Sequence, residues 1–169
     1  MRTSGRHAVR RAGLIAGLLA LVLAAAAGAA TGTSVGTHRT DRGKVLANSR
    51  GYSLYMFAKD KKGGKSTCYG QCAKVWPPLL KHGRLGTIRG SGVNSKLLGT
   101  TRRRDGKLEV TYNGWPLYTY APDSRPGQDM GEGYDQFGAA WFLLNTTGKQ
   151  IKCPAGEVSS SSGCVAGSY

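Results

Sequence analysis

The chain has 169 residues, with 24 Lys and Arg against 9 Asp and Glu and a formal net charge of +15 at pH 7. That length holds one domain and excludes two full ones. Of its 3 histidines only His38 and His82 lie beyond the first 30 residues, and no Ser-His-Asp or Cys-His-Asn arrangement is in view, so the sequence reads as non-enzymatic.

Arg2, Arg6, Arg10 and Arg11 form a positive head, followed by an uncharged run over residues 12–30 that contains Ala27-Gly28-Ala29. This is the layout of a secretory signal over residues 1–29 with a small-residue cleavage site. The alternative is an uncleaved N-terminal anchor, since the run approaches the length of a bilayer span. Removing residues 1–29 takes four arginines and no acids, which leaves 20 basic against 9 acidic residues and a formal charge of about +11. A basic exported protein meets anionic wall polymers or membrane headgroups rather than nucleic acid. Oligomeric state is not encoded in any visible pattern, and no cofactor is implied.

Residues 30–43 are rich in Gly, Thr and charge and read as a linker running into a first strand near Lys44-Val45-Leu46. A strand is expected over residues 52–58, then a solvated basic loop over 59–65. Cys68, Cys72, Cys153 and Cys164 are an even set in an exported chain, hence two disulfides. Three connectivities are open, and proximity favours Cys68–Cys72 with Cys153–Cys164, the latter closing a Ser/Gly-rich tail at 153–169. The alternative for Cys68 and Cys72 is a soft-metal or redox site with His82 as a third ligand.

Asp105-Gly106 and Asn113-Gly114 are hairpin signals flanked by alternating segments. They predict a three-stranded antiparallel meander over 98–104, 107–112 and 115–120. A two-residue loop at 113–114 pairs Tyr112 with Trp115, Thr111 with Pro116, Val110 with Leu117, Glu109 with Tyr118, Leu108 with Thr119 and Lys107 with Tyr120. It places Tyr118 and Tyr120 on the more polar face. A two-residue loop at 105–106 sets Arg102 opposite Glu109 as an exposed pair of little energetic weight. Pro116 then falls on a non-hydrogen-bonded pair and marks an edge strand.

Two segments repeat. An offset of 63 residues matches Gly51, Leu54, Tyr55, Ala58 and Asp60 with Gly114, Leu117, Tyr118, Ala121 and Asp123. An offset of 65 matches Tyr69, Gln71, Trp76 and Leu79 with Tyr134, Gln136, Trp141 and Leu144. The expected architecture is therefore a mainly β domain over 44–152, with short helical turns. It contains two pseudo-repeats of a strand-loop-Trp unit, about 51–80 and 114–145, joined by the meander.

Six motifs follow one another over roughly residues 44–144. They are Leu54-Tyr55-Met56-Phe57-Ala58-Lys59-Asp60, Cys68-x3-Cys72, Trp76-Pro77-Pro78-Leu79, Asp105-Gly106, Thr111-Tyr112-Asn113-Gly114 and Pro116-Leu117-Tyr118-x-Tyr120-x-x-Asp123. In that order they resemble the bacterial secreted or lipoprotein repeat family named for its Y-x-[FWY]-x-x-D motif. The resemblance implies export and no established activity. Many similar proteins carry a lipid-modified cysteine just after the signal, whereas the first cysteine here is Cys68.

Tyr55, Phe57, Tyr118 and Tyr120 either stack a ligand or pack the repeats together, and repeat logic favours packing. Asp60 and Asp123 either act as paired acid–base carboxylates or cap the turns after their strands, with capping favoured. Asp123, Asp129, Glu132 and Asp135 form an acidic stretch whose spacing does not match an EF-hand loop. Consecutive Arg102, Arg103 and Arg104 cannot share one face of a strand, and their expected role is to block edge pairing. The reading is thus an exported, non-catalytic envelope module that contacts anionic material. The rival is a metal or redox protein built on Cys68 and Cys72.

Overall fold

The computed structural model describes Met1, residues 32–82 and 88–151, and the backbone of two short strands near the C-terminus. The predicted signal and Cys153 lie outside the described residues, and among those described no helix is long and apolar enough to cross a membrane. The protein is mainly β. In chain order come β1 (Ser34–Thr40), β2 (Gly43–Asn48), β3 (Tyr55–Phe57), a single-turn helix α1 (Gln71–Val75), β4 (Arg89–Gly90), a 3-10 turn, β5 (Leu98–Arg102), β6 (Leu108–Tyr112), β7 (Trp115–Pro116), β8 (Trp141–Leu143), β9 (Glu157–Ser160) and β10 (Gly163–Ala166).

The first departure from expectation is β1, which occupies half of the predicted linker. It pairs antiparallel with β2 from Val35↔Asn48 to Thr40↔Gly43. Its Thr residues suit a pleated strand, and one apolar residue, the fully buried Val35, suffices to anchor it.

The two-residue turn at Asn113-Gly114 sets the register read from sequence, with Tyr112↔Trp115 and Thr111↔Pro116. Both turn residues have positive φ, 49° and 82°, which a hairpin turn of this hand needs and which Asn-Gly tolerates. Pro116 lies in β7, at the edge of the β5-β6-β7 sheet. Beyond it one predicted link remains, Leu117 N to Val110 O at 3.0 Å, and then the ladder departs from the expected register. Residues 77–81 enter between β6 and the outgoing chain: Leu79 N donates to Leu117 O at 2.8 Å, Val110 N to Leu79 O at 2.8 Å and Lys81 N to Leu108 O at 2.8 Å. Glu109 therefore faces Leu80 rather than Tyr118, and Tyr118 bridges to Pro78 and Tyr55.

The other turn differs by one residue. Arg103 N donates to Lys107 O and Gly106 N to Arg103 O, so the loop holds three residues, 104–106, with Gly106 at φ 82°. This is a turn with a glycine bulge. Arg102 accordingly pairs with Leu108 and Thr101 with Glu109. A one-residue slip changes faces: Arg102 turns outward, and Arg103 turns inward onto the side of Glu109.

The two repeats interlock about an approximate twofold. Tyr55 N donates to Tyr118 O at 2.8 Å and Tyr118 N to Tyr55 O at 3.0 Å. On one side β3 pairs with β8, with Tyr55↔Leu143 and Phe57↔Trp141. On the other, Thr119 N donates to Pro77 O and Ala121 N to Val75 O, as Ala58 N does to Ala140 O. Each aromatic strand thus takes its partner from the other repeat. The correspondence runs further upstream than residue identity does. Leu46 N to Leu144 O and Leu54 N to Leu46 O are matched by Val110 N to Leu79 O and Leu117 N to Val110 O. Hairpin β5–β6, which joins the two repeat strands, thus stands to the second as β1–β2 stands to the first.

Alternation along the aromatic strands feeds two cores. Tyr55, Phe57, Tyr118 and Tyr120 enter one, with Trp76 and Trp141. Leu54, Met56 and Leu117 enter the other, with Val35, Leu46, Val110, Tyr112 and Leu144.

Candidate functional site

The motif residues lie inside, on the pseudo-twofold. Tyr55 Oη donates to Asp123 Oδ2 at 2.7 Å, and Tyr118 Oη donates to Asp60 Oδ2 at 2.6 Å. Each repeat's tyrosine is held by the other repeat's aspartate. The second oxygen of each carboxylate accepts a loop amide, Thr67 N on Asp60 at 2.8 Å and Met130 N on Asp123 at 3.1 Å. Burial pushes the Asp60 carboxyl up from its usual range, and the Tyr118 and Thr67 hydrogen bonds pull against it. Burial likewise raises Asp123, opposed by Tyr55 and Met130. Both tyrosine hydroxyls are raised by burial and by their carboxylate partners.

Four rings stack through the centre. Phe57 lies on Trp141 at 4.0 Å, Trp141 on Trp76 at 4.0 Å and 3°, and Trp76 on Tyr120 at 4.2 Å. Gln136 accepts both indole N–H groups, through its side chain from Trp76 and its backbone from Trp141. Tyr55 and Tyr118 are 0% exposed and Phe57 1%, so these rings pack the repeats rather than stack a ligand. Tyr118 is not on a polar face. Asp60 and Asp123 fix the loops after their strands through the Thr67 and Met130 amides.

The sequence reading missed Arg103, which is 3% exposed. Its guanidinium donates to Glu109 Oε2 at 2.6 Å, Ser66 Oγ at 2.7 Å and Cys68 O at 2.7 Å. It also lies over the Tyr69 ring at 4.4 Å, and Arg104 lies over the same ring at 3.9 Å. The predicted exposed Arg102–Glu109 pair is thus a buried Arg103–Glu109 pair. Burial pushes the Glu109 carboxyl up to about 8, against the pull of Arg103. The only available signal was the turn at Asp105-Gly106, read one residue too short.

Cys68 and Cys72 are joined in a disulfide, with their Cα atoms 5.3 Å apart. Cys153 lies outside the described residues, and Cys164 is described by backbone alone, in β10 opposite Ser159. The acidic stretch does not converge. Asp129 pairs with Arg42 at 3.3 Å, Glu132 accepts from Leu143 N, and Asp135 points to solvent. His82 meets Thr33 through its backbone amide at 2.8 Å. His38 Nε2 lies 3.0 Å from Ser53 Oγ, but Ser53 is 0% exposed and its hydroxyl donates to Gln128 O. That serine is not available as a nucleophile.

The surface is more basic than the composition. Asp60, Glu109, Asp123 and Glu132 are buried, whereas Arg103 is the one buried cation among the described residues. Lys59, Lys61, Lys62, Lys65, Arg104 and Lys107 are exposed. Their loops meet where Arg103 contacts Ser66 and Arg104 N donates to Tyr69 Oη at 3.0 Å. Elsewhere, a cleft of about 340 Å³ opens between the turn after β2 and the chain after Tyr118, lined by Asn48, Arg50, Tyr52, Thr119, Tyr120 and Asp123 among others.

A family model described as a secreted repeat of unknown function matches residues 26–80 and 99–145. The chain belongs to that family. The second match begins at Gly99, inside β5, so the secreted repeat includes the hairpin that the fold assigns to each copy. No curated protein and no solved structure matches the chain.

Proposed function

We propose that this secreted repeat protein is a non-catalytic module that holds anionic wall polymers through its basic loops. One observation carries the reading: four carboxylates are taken into the interior, each on an internal donor, while the lysines of 59–65 and the arginine-rich hairpin tip stay outside. Burying acids inside a basic chain leaves an outward field that is mainly positive, which gathers polyanions without specific contacts. The buried motif tyrosines and aspartates add nothing that would turn over a substrate.

The test is binding of the secreted chain to a phosphate-rich polymer at low and high salt. Binding is expected to weaken about tenfold as screening shortens the reach of the surface charges, and Lys61→Glu with Lys65→Glu is expected to weaken it as well. Salt-insensitive binding sinks the reading, and binding only to anionic vesicles moves the partner to headgroups.

The rival is a redox or metal role for Cys68 and Cys72. Because the sulfurs are bonded and Cys68 is 0% exposed, the pair is better suited to a staple. Thiol labelling of natively exported protein separates the two, since free thiols at both positions would favour the rival.

A further inference from the structure

We propose that the cleft between residues 48–52 and 119–124 binds a single carboxylated sugar unit. Its volume of about 340 Å³ sits at the small end of the range of roughly 300–1,000 Å³ typical of ligand sites. The lining combines three chemistries. Tyr52 offers ring surface and Tyr120 the exposed part of a ring that otherwise stacks on Trp76, Arg50 offers a cation, and Asn48 offers its amide nitrogen beside the Thr119 and Ser124 oxygens.

The Arg50 guanidinium lies 5.4 Å from the centre of the Tyr52 ring and makes no ion pair among the described residues. Asp123, at 4% exposure, closes the cleft with both oxygens already accepting from Tyr55 and Met130. A ligand there must carry negative charge toward Arg50, lay an apolar face on a ring, and exchange hydrogen bonds with the neutral amide and hydroxyl groups of the rim. A plain inorganic anion meets the cation but has no apolar face to lay on a ring. A sugar ring bearing a carboxylate has all three.

The pseudo-symmetry supplies an independent argument. At positions that pack, the copies agree: Tyr55 with Tyr118, Ala58 with Ala121, Asp60 with Asp123, Trp76 with Trp141. At positions 50, 52, 119 and 120 of the cleft they diverge, while Ala121 and Asp123, which also line it, are shared. Thr119 and Tyr120 stand where the first copy has Met56 and Phe57, which are 3% and 1% exposed, and Arg50 and Tyr52 stand where the second has Asn113 and Trp115. The scaffold accepts the apolar residues at 56 and 57, so packing alone does not call for the polar ones at 119 and 120.

This inference goes beyond the polymer reading, because a monomeric sugar is too small to be held by dispersed lysines. The test is an NMR titration of the full secreted chain with methyl glucuronide, methyl glucoside and inorganic phosphate. Saturable shifts confined to the cleft are expected with the glucuronide, and about tenfold weaker binding with the glucoside. Thr119→Met and Tyr120→Phe, each copying the residue of the other repeat, should weaken glucuronide binding with no change in unfolding midpoint. Arg50→Asn should remove the preference for the carboxylated sugar.

Lys61→Glu with Lys65→Glu should leave glucuronide binding unchanged while weakening the polymer. If no saturable shift occurs, if phosphate binds equally well, or if only the lysine changes matter, the cleft assignment is overturned. The last result would leave the polymer reading standing.

Discussion

Tyr118→Phe removes one hydroxyl from the interior and leaves the ring in place. That hydroxyl donates to Asp60 Oδ2 at 2.6 Å and lies 2.7 Å from Ser66 Oγ, in a residue that is 0% exposed. Water cannot take its place. Asp60 keeps Thr67 N and Thr67 Oγ1 on Oδ1, but Oδ2 is left bare in a buried pocket. A hydrogen bond to a charged group contributes about 1.5–3 kcal/mol, and the expected loss lies in that range. Tyr55→Phe should cost about the same or somewhat less, since its hydroxyl makes one strong bond, to Asp123 at 2.7 Å, and a longer one from Gly131 N at 3.3 Å.

A pH dependence separates this account from a generic packing defect. The Tyr118 hydrogen bond lowers the Asp60 pKa against the push of burial. Without it the folded pKa rises further, so the variant's deficit is full at neutral pH and shrinks as acid protonates Asp60. Urea unfolding followed by the fluorescence of Trp76 and Trp141, at pH 4 and 7, measures both. A loss under about 0.5 kcal/mol, or one identical at the two pH values, would refute the reasoning.

Two further outcomes are expected. Arg103→Ala strands Glu109, which is 0% exposed, and should cost about 3–5 kcal/mol. Adding Glu109→Val, which copies Val45 at the matching position, should restore much of that in urea midpoints, and a double variant no better than the single one would contradict the buried-pair account. Glu132 is pushed up to about 8 by burial, with Leu143 N and Arg42 pulling against it. Its stabilising form is the protonated one, so its contribution is complete below the unfolded value near 4.5 and fades as pH climbs toward 8. Thermal unfolding at pH 5, 7 and 9 should show Glu132→Gln losing less stability than wild type as pH rises, and parallel curves would count against it.

What could be read from sequence was what local chemistry dictates. Asn113-Gly114 fixed the β6–β7 register, the recurrence of Tyr, Asp and Trp at constant offset exposed the duplication, and the spacing of Cys68 and Cys72 was short enough to pair. What could not be read depended on distant partners. β1 looks like linker because only Val35 marks its buried side, and it is held by its pairing with β2 on one side and β4 on the other. Asp105-Gly106 fits both a two-residue and a three-residue loop, and that single residue decides whether Arg102 or Arg103 enters the core. Residues 77–81 begin with two prolines and carry no strand signature, yet they separate β6 from the chain after Leu117. The exchange of partners between repeats leaves no local trace, since either strand would have the same composition paired at home or across.

The interlock also explains where the copies are free to differ. Because each aromatic strand takes its partner from the other repeat, a change in the shared Tyr, Asp or Trp positions is felt by both halves at once. Residues off that axis are felt by one half, and the divergence is concentrated there. One corner of the first copy has been rebuilt around Cys68, Ser66 and Tyr69, joined to Arg103 and Glu109 of the second. Tyr69 is matched by Tyr134, whereas Cys68, Ser66 and Glu109 are matched by Gly131, Asp129 and Val45. Gly131 there has no room for a side chain, since a Cβ would meet Trp76 at 2.6 Å and Tyr55 at 3.1 Å, so that corner cannot hold the cysteine staple. A duplicated scaffold with a fixed axis thus permits asymmetry most freely at its corners and rims, and the basic loops and the Arg50–Tyr52 side of the cleft lie in those places.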